Sequence, residues 1–104
     1  MNSRVIALIA GDRRRWPLAG DQLYVDLDLR PENLPAGTRL EVGSAVIEVT
    51  EQLHAGCAKF TERFGSAAIR FVNAPSGRAL RLRGMYARVV ESGAVWPGDS
   101  IRKL

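Results

Sequence analysis

The chain has 104 residues, of which 46% are hydrophobic and 25% charged, and it carries a net charge of +4. That length supports one core and excludes two independent domains, so residues 1–104 are expected to fold as a single unit. The composition excludes a disordered or fibrous chain. Lys59 and Lys103 are the only lysines among 15 basic residues, so thirteen are arginine, whose planar fork suits phosphate and carboxylate oxygens. Apart from Arg13-Arg14-Arg15 and Arg78, Arg81 and Arg83 they are dispersed, which argues against a nucleic-acid surface. A single cysteine excludes an internal disulfide and suits a reducing compartment. The apolar run at the start is too short for a signal peptide or a membrane span. A cytoplasmic protein without membrane contact is the expectation.

In chain order, Val5–Ala10 reads as a buried strand ended by Gly11-Asp12, and Arg13–Asp21, with Pro17 and Gly20, as a loop. Leu23–Leu29 alternates apolar and polar positions and predicts a half-buried strand that Pro31 stops. Glu32–Gly37 is a turn region. Thr38–Val42 and Ala45–Thr50 are β-rich runs joined by Gly43-Ser44, a hairpin signal with glycine free to take positive φ. After His54 the period changes. Cys57, Phe60, Phe64, Ala67, Ala68, Phe71 and Val72 recur at steps of three and four, which is helical spacing. Gly65-Ser66 divides that region into two short helices, with Ser66 expected to cap the second, and Pro75 and Gly77 close it. Strand character resumes over Leu80–Glu91, followed by a short strand at Ala94–Trp96 and a last one at Ser100–Leu104. About six strands with one helical insertion at residues 56–73 predict a mainly β fold, a small closed or partly open barrel, since closure removes exposed edges.

Cys57 stands at the expected start of the helix. There a thiol faces unpaired amide donors and the positive end of the dipole, which favours the thiolate. His54 and Lys59 lie close enough in sequence to add positive charge. Such a thiolate can attack an electrophilic sulfur, hold a persulfide or ligate a soft metal. The competing reading places Cys57 on the buried face with Phe60 and Phe64, as a small structural hydrophobe in a non-catalytic module that binds a small ligand or a protein. With one cysteine and one histidine, a zinc site is not expected. Asp26 and Asp28 share a strand face, which reads as a solvated edge rather than a cation site. Arg81 and Arg83 would project from one face of a strand and could grip an oxyanion, or else pair with Glu91 or Glu41.

Several stretches together resemble the MOSC domain, the family named for the C-terminal domain of molybdenum cofactor sulfurase. They are Pro17–Leu29 followed by Glu32–Leu40, Gly43–Thr50 leading into His54-Ala55-Gly56-Cys57-Ala58-Lys59-Phe60, and Arg83–Val90 with Gly98–Ile101. The resemblance covers nearly the whole chain and implies a compact β-barrel of the pyruvate-kinase-barrel type. It implies molybdenum cofactor as the ligand, sulfur transfer linked to a pyridoxal-phosphate desulfurase, and in some members reduction of N-hydroxylated compounds. The family cysteine, which carries sulfur or ligates molybdenum, corresponds to Cys57. On this basis Arg81 and Arg83, with Lys59 and His54, are expected to hold the cofactor. The implied partners are a cysteine desulfurase or a molybdoenzyme. Relative to longer members the chain starts late, which implies a missing N-terminal strand and a barrel that two chains would complete by pairing edges.

Overall fold

The computed structural model describes residues 1–104. Its elements are α1 (Ser3–Ala10), a 3-10 helix (Arg13–Ala19), β1 (Arg39–Val42), β2 (Ala45–Val49), α2 (Ala58–Phe64), α3 (Ser66–Asn73), α4 (Pro75–Ala79), β3 (Ala87–Glu91) and β4 (Ile101–Lys103). The four strands form one antiparallel sheet in the order β3-β2-β1-β4. β3 and β4 are its two edges and do not meet, so the sheet is open. Of the mainly β, closed or partly open barrel that was expected, an unclosed four-stranded sheet forms, and with several helices around it the domain is mixed α/β.

The strand expected over Val5–Ala10 is instead part of helix α1. The Asn2 side chain caps it, its oxygen accepting from the Arg4 and Val5 amides at 2.8 and 3.2 Å. Ile6 and Ala10, four apart, are the buried positions. A run of six apolar residues fits either period, and the cap decides it.

Leu23–Leu29 is extended without being a strand of the sheet. Its backbone pairs only with the chain's first residues: Ser3 N–H donates to the Val25 carbonyl and Val25 N–H to that of Met1, at 2.8 and 3.0 Å. Leu23, Val25, Leu27 and Leu29 nevertheless turn inward onto the sheet core. The alternation thus reported burial, not a ladder. Residues 80–84 are turn rather than strand, because α4 runs on to Ala79 from Pro75, which opens that helix rather than closing the region. Ala94–Trp96 is not a strand either; Ala94 is tied to Ser44 at the β1–β2 turn. Ser66 does not cap α3, since it lies inside the helix and Gly65 holds the cap position.

The β1–β2 hairpin forms with Val42 opposite Ala45 across Gly43-Ser44. The sheet's inner face supplies Leu40, Val42 and Val49 to one buried cluster with Leu29 and Leu34. Its outer face carries directly opposed charges: Glu48 lies across from Arg39 and Arg88 and bonds both, and Glu41 pairs with Arg102. Each such exposed pair contributes a few tenths of a kcal/mol and fixes register more than stability. A second cluster, Met1, Ile6, Ala10, Ala19, Phe60 and Val72, packs the helices together. The molecule therefore has two cores, one under the sheet and one among the helices.

Gly43 has φ +56, and a Cβ there would collide with the Ala94 carbonyl oxygen. Gly43→Ala is expected to cost about 2 kcal/mol from strain plus the clash. Urea denaturation would show this as a lowered midpoint with an unchanged slope; an unchanged midpoint would contradict the turn geometry.

Candidate functional site

Helix α2 begins directly after Cys57, which takes the N-cap position in extended conformation, φ -120° and ψ -178°. The preceding Gly56 is clamped by the last residue of α3. Its N–H donates to Asn73 Oδ1 at 2.8 Å and its carbonyl accepts from Asn73 Nδ2 at 3.1 Å. A Cβ at 56 would press on the Ile69 δ-methyl, which would have to turn aside, so glycine eases this approach. The clamp fixes where the cysteine leaves the backbone. Cys57 is exposed, and the reading of it as a buried structural residue is thereby overturned.

The amides of Phe60 and Lys59, followed by the charge of Arg83, hold the Cys57 thiol below its ordinary range. Sγ makes no full hydrogen bond that would close the cap. The amides act as a partial positive charge beside the sulfur. Lys59 is exposed on the first turn of α2. Phe60, the next residue, is buried against Phe64, with ring centroids 5.0 Å apart.

Over the other side of the Phe60 ring lies Arg83, its guanidinium carbon 5.0 Å from the ring centre. Arg83 is buried, and both terminal nitrogens of its fork are committed while Nε has no partner. Nη1 donates to both oxygens of Asp21 at 2.8 and 3.1 Å, and Nη2 donates to the Ala19 carbonyl at 2.9 Å. The Met1 ammonium stands 3.5 Å from the same carboxylate. Arg81 is committed too: Nη1 donates to the Leu29 and Leu34 carbonyls at 3.0 and 2.6 Å, and burial pushes its pKa down. Neither arginine lies on a strand, and they do not share a strand face. Each crosses instead from the 80–84 turn into a different part of the chain.

His54 is not paired with the thiol. Its ring stacks on Tyr86 with centroids 4.3 Å apart, and Nδ1 is buried without a hydrogen-bond partner. Burial, and after it the charge of Arg83, pushes the His54 pKa down, so the imidazole is neutral at neutral pH. His54, Tyr86 and Asp21 stand in the wall of a cavity of about 260 Å³ between the sheet's inner face and the 21–29 segment. Asp26 and Asp28 form separate exposed pairs with Arg4 and Arg30. No three His, Cys, Asp or Glu side chains come together as a metal cluster. No helix is long and apolar enough to cross a membrane.

Of the residues singled out from the sequence, Cys57 and Lys59 share a helix turn, Arg83 lies beneath it, His54 flanks it and Arg81 is elsewhere. Asp21, Asn73 and Tyr86 complete the site, and sequence reasoning missed all three. Asp21 and Asn73 sit in a loop and at a helix end, where no periodicity marks a partner.

A small open-sheet α/β domain with one amide-backed, exposed thiol is the class these features define. The chain belongs to the MOSC domain family, whose model matches residues 12–102. Comparison with curated proteins and with solved structures returns no match.

Arg83 and Asp21 are buried partners, so removing either leaves the other's charge uncompensated. Arg83→Met and Asp21→Asn are each expected to cost about 3 kcal/mol, and the double variant at least about 1 kcal/mol less than the two costs added. Chemical denaturation of the four proteins measures this cycle, and strict additivity would show that the pair does not interact.

Proposed function

We propose that this MOSC domain is a sulfur carrier, with Cys57 as the residue that accepts and holds the sulfur. The supporting observation is the exposed thiol at the α2 N-cap, held below its ordinary range by two backbone amides. The thiolate is the attacking species in sulfur exchange, so lowering its pKa raises the reactive fraction at neutral pH. In the step, the Cys57 thiolate attacks the outer sulfur of a partner's cysteine persulfide. A new sulfur–sulfur bond forms at Cys57, the partner's own sulfur–sulfur bond breaks, and the partner leaves as a thiolate. The negative charge passes from Cys57 to the partner, and the outer sulfur keeps its proton. No external oxidant or reductant is consumed. A cysteine desulfurase is the class of donor that presents such a persulfide.

Each neighbour has a defined part in this reading. The Asn73 clamp on Gly56 keeps the sulfur at the helix cap. Arg83, locked by Asp21 beneath Phe60, supplies a positive charge held in a fixed place. Lys59 is the exposed cation on the same turn, suited to steering an anionic partner surface.

MOSC domains are associated with molybdenum cofactor, and the residues here meet that group at one end only. A thiolate is a fitting soft ligand for molybdenum, so Cys57 suits the metal. Arg81 Nη1 is engaged by two carbonyls and both terminal nitrogens of Arg83 by Asp21 and the Ala19 carbonyl, so neither arginine has its whole fork free for its phosphate. Lys59 is the remaining cation of the set. Loading the sulfur onto Cys57 needs the thiolate alone, whereas passing it on to a molybdoenzyme or the cofactor as sulfide would also need a two-electron reductant such as a second thiol.

Incubation with a cysteine desulfurase and L-cysteine is expected to make the protein one sulfur atom heavier by intact-mass measurement. Dithiothreitol should reverse the gain, and Cys57→Ala should show none. Wild type that stays unmodified while the desulfurase itself carries persulfide would refute the proposal.

A further inference from the structure

The arginines are dispersed along the sequence, but the fold sorts them. Residues 12–21 and 57–83, which contain the 3-10 helix, α2, α3 and α4, hold nine cations and three carboxylates. The remainder of the chain holds six cations and eight carboxylates. The whole positive excess therefore lies in one body of packed helices, with α2 against both the 3-10 helix and α3, and α3 against α4.

Neutralisation is just as uneven. On the sheet Arg39, Arg88 and Arg102 each meet a glutamate. Among the helices Asp12 and Asp21 are spent on Arg14 and Arg83, which leaves Glu62 alone against the rest. Arg15, Lys59, Arg63 and Arg78 are exposed and meet no carboxylate. Carbonyls hold three of them instead. Arg15 Nη2 donates to the Arg63 carbonyl at 3.4 Å, Arg63 Nη1 to that of Leu18 at 2.9 Å, and Arg78 Nε to that of Asn73 at 2.9 Å. A carbonyl is a neutral acceptor, so it orients a guanidinium without cancelling its charge.

These fixed charges line up with the thiol. Lys59 and Arg63 are four apart on α2 and share a side of it, and Arg15 reaches Arg63 from the 3-10 helix. Cys57 stands at the head of that row, with Arg63 about 9 Å further along the axis. Asn73, whose carbonyl holds Arg78, is also the clamp on Gly56 beside the thiol. The screening length in physiological salt, about 8 Å, is close to that spacing, so the cations act jointly on whatever approaches the sulfur.

We propose that this side of α2 is the docking surface for an acidic protein surface, whose carboxylates meet Lys59, Arg63 and Arg15 while its electrophilic sulfur meets Cys57. The proposal rests on the carrier reading and adds the sign of charge that the sulfur donor must present. A nucleic acid would also be drawn to the cations, but it offers no sulfur to the thiol among them.

The test uses the full chain and three short peptides that each carry one cysteine as its 2-thiopyridyl disulfide, flanked by glutamates, glutamines or lysines. Cys57 thiolate attacks the peptide sulfur, a Cys57–peptide disulfide forms, and pyridine-2-thione leaves and is read by absorbance. At about 0.02 M salt the glutamate peptide is expected to react at least about tenfold faster than the glutamine peptide, and the lysine peptide more slowly than either. At about 1 M salt, where screening shortens the reach to about 3 Å, the three rates should converge. Arg63→Glu should cut the glutamate-to-glutamine rate ratio at least about threefold, whereas Arg88→Glu, the same charge change on the sheet, should keep the wild-type ratio. Equal losses in both variants would assign the effect to net charge and overturn the docking surface. Equal rates for the three peptides, with neutral 2,2′-dithiodipyridine still reacting at Cys57, would overturn the docking surface and leave the carrier reading standing. A thiol that 2,2′-dithiodipyridine cannot reach would remove the carrier reading and the docking with it. A short oligothymidylate should show no saturable binding at about 0.15 M salt; binding there that Arg63→Glu abolishes would assign the face to nucleic acid and overturn the proposal.

Discussion

The buried pair of Arg83 and Asp21 ties together parts of the chain that share no secondary structure. Asp21 belongs to the loop after the 3-10 helix, and Arg83 to the turn between α4 and β3. Through one guanidinium, that turn reaches a carboxylate, a backbone carbonyl and the face of Phe60. Two residues earlier, Arg81 sends its own fork the other way, to the carbonyls of Leu29 and Leu34 beside the sheet core. The 80–84 turn is therefore the joint between the helical core and the sheet core. Buried charge is a costly way to build a joint, but it makes the geometry specific, because neither partner is satisfied anywhere else.

That joint has two chemical consequences. On the helix side it places a permanent positive charge under the first turn of α2, where the amides of Lys59 and Phe60 already act on the Cys57 sulfur. On the sheet side it occupies Asp21, which stands in the cavity wall with Gln22, His54 and Tyr86. One ion pair thus stands between an anion-favouring thiol and a largely apolar cavity. In this molecule the arginines expected to hold an external phosphate instead organise both places from beneath.

The sequence was legible where a local rule acted alone. Gly43-Ser44 between two β-rich runs gave the hairpin, because turn chemistry is written in two residues. The three- and four-residue steps from Cys57 to Val72 gave α2 and α3, and Gly65 their division. The helix-start position of Cys57 was readable for the same reason. Where period and hydrogen bonding part company, the reading failed. Leu23–Leu29 buries alternate residues as a strand does, yet its backbone pairs with Met1 and Ser3 instead of a sheet neighbour. Val5–Ala10 was decided by a cap at Asn2, outside the run itself. The barrel followed from counting those two segments as strands. Asp21 and Asn73 could not be paired with Arg83 and Gly56 in advance, since such partnerships span 62 and 17 residues of chain.

The central claim is that the fold holds Cys57 ready as a thiolate. Because it is the only cysteine, thiolate absorbance near the far ultraviolet can be followed against pH, with Cys57→Ser as the blank for tyrosine ionisation. The account predicts a single transition with a midpoint below about 8.5, the value of an unperturbed cysteine, and a return to that value in denaturant. A native midpoint at or above the denatured one would contradict it.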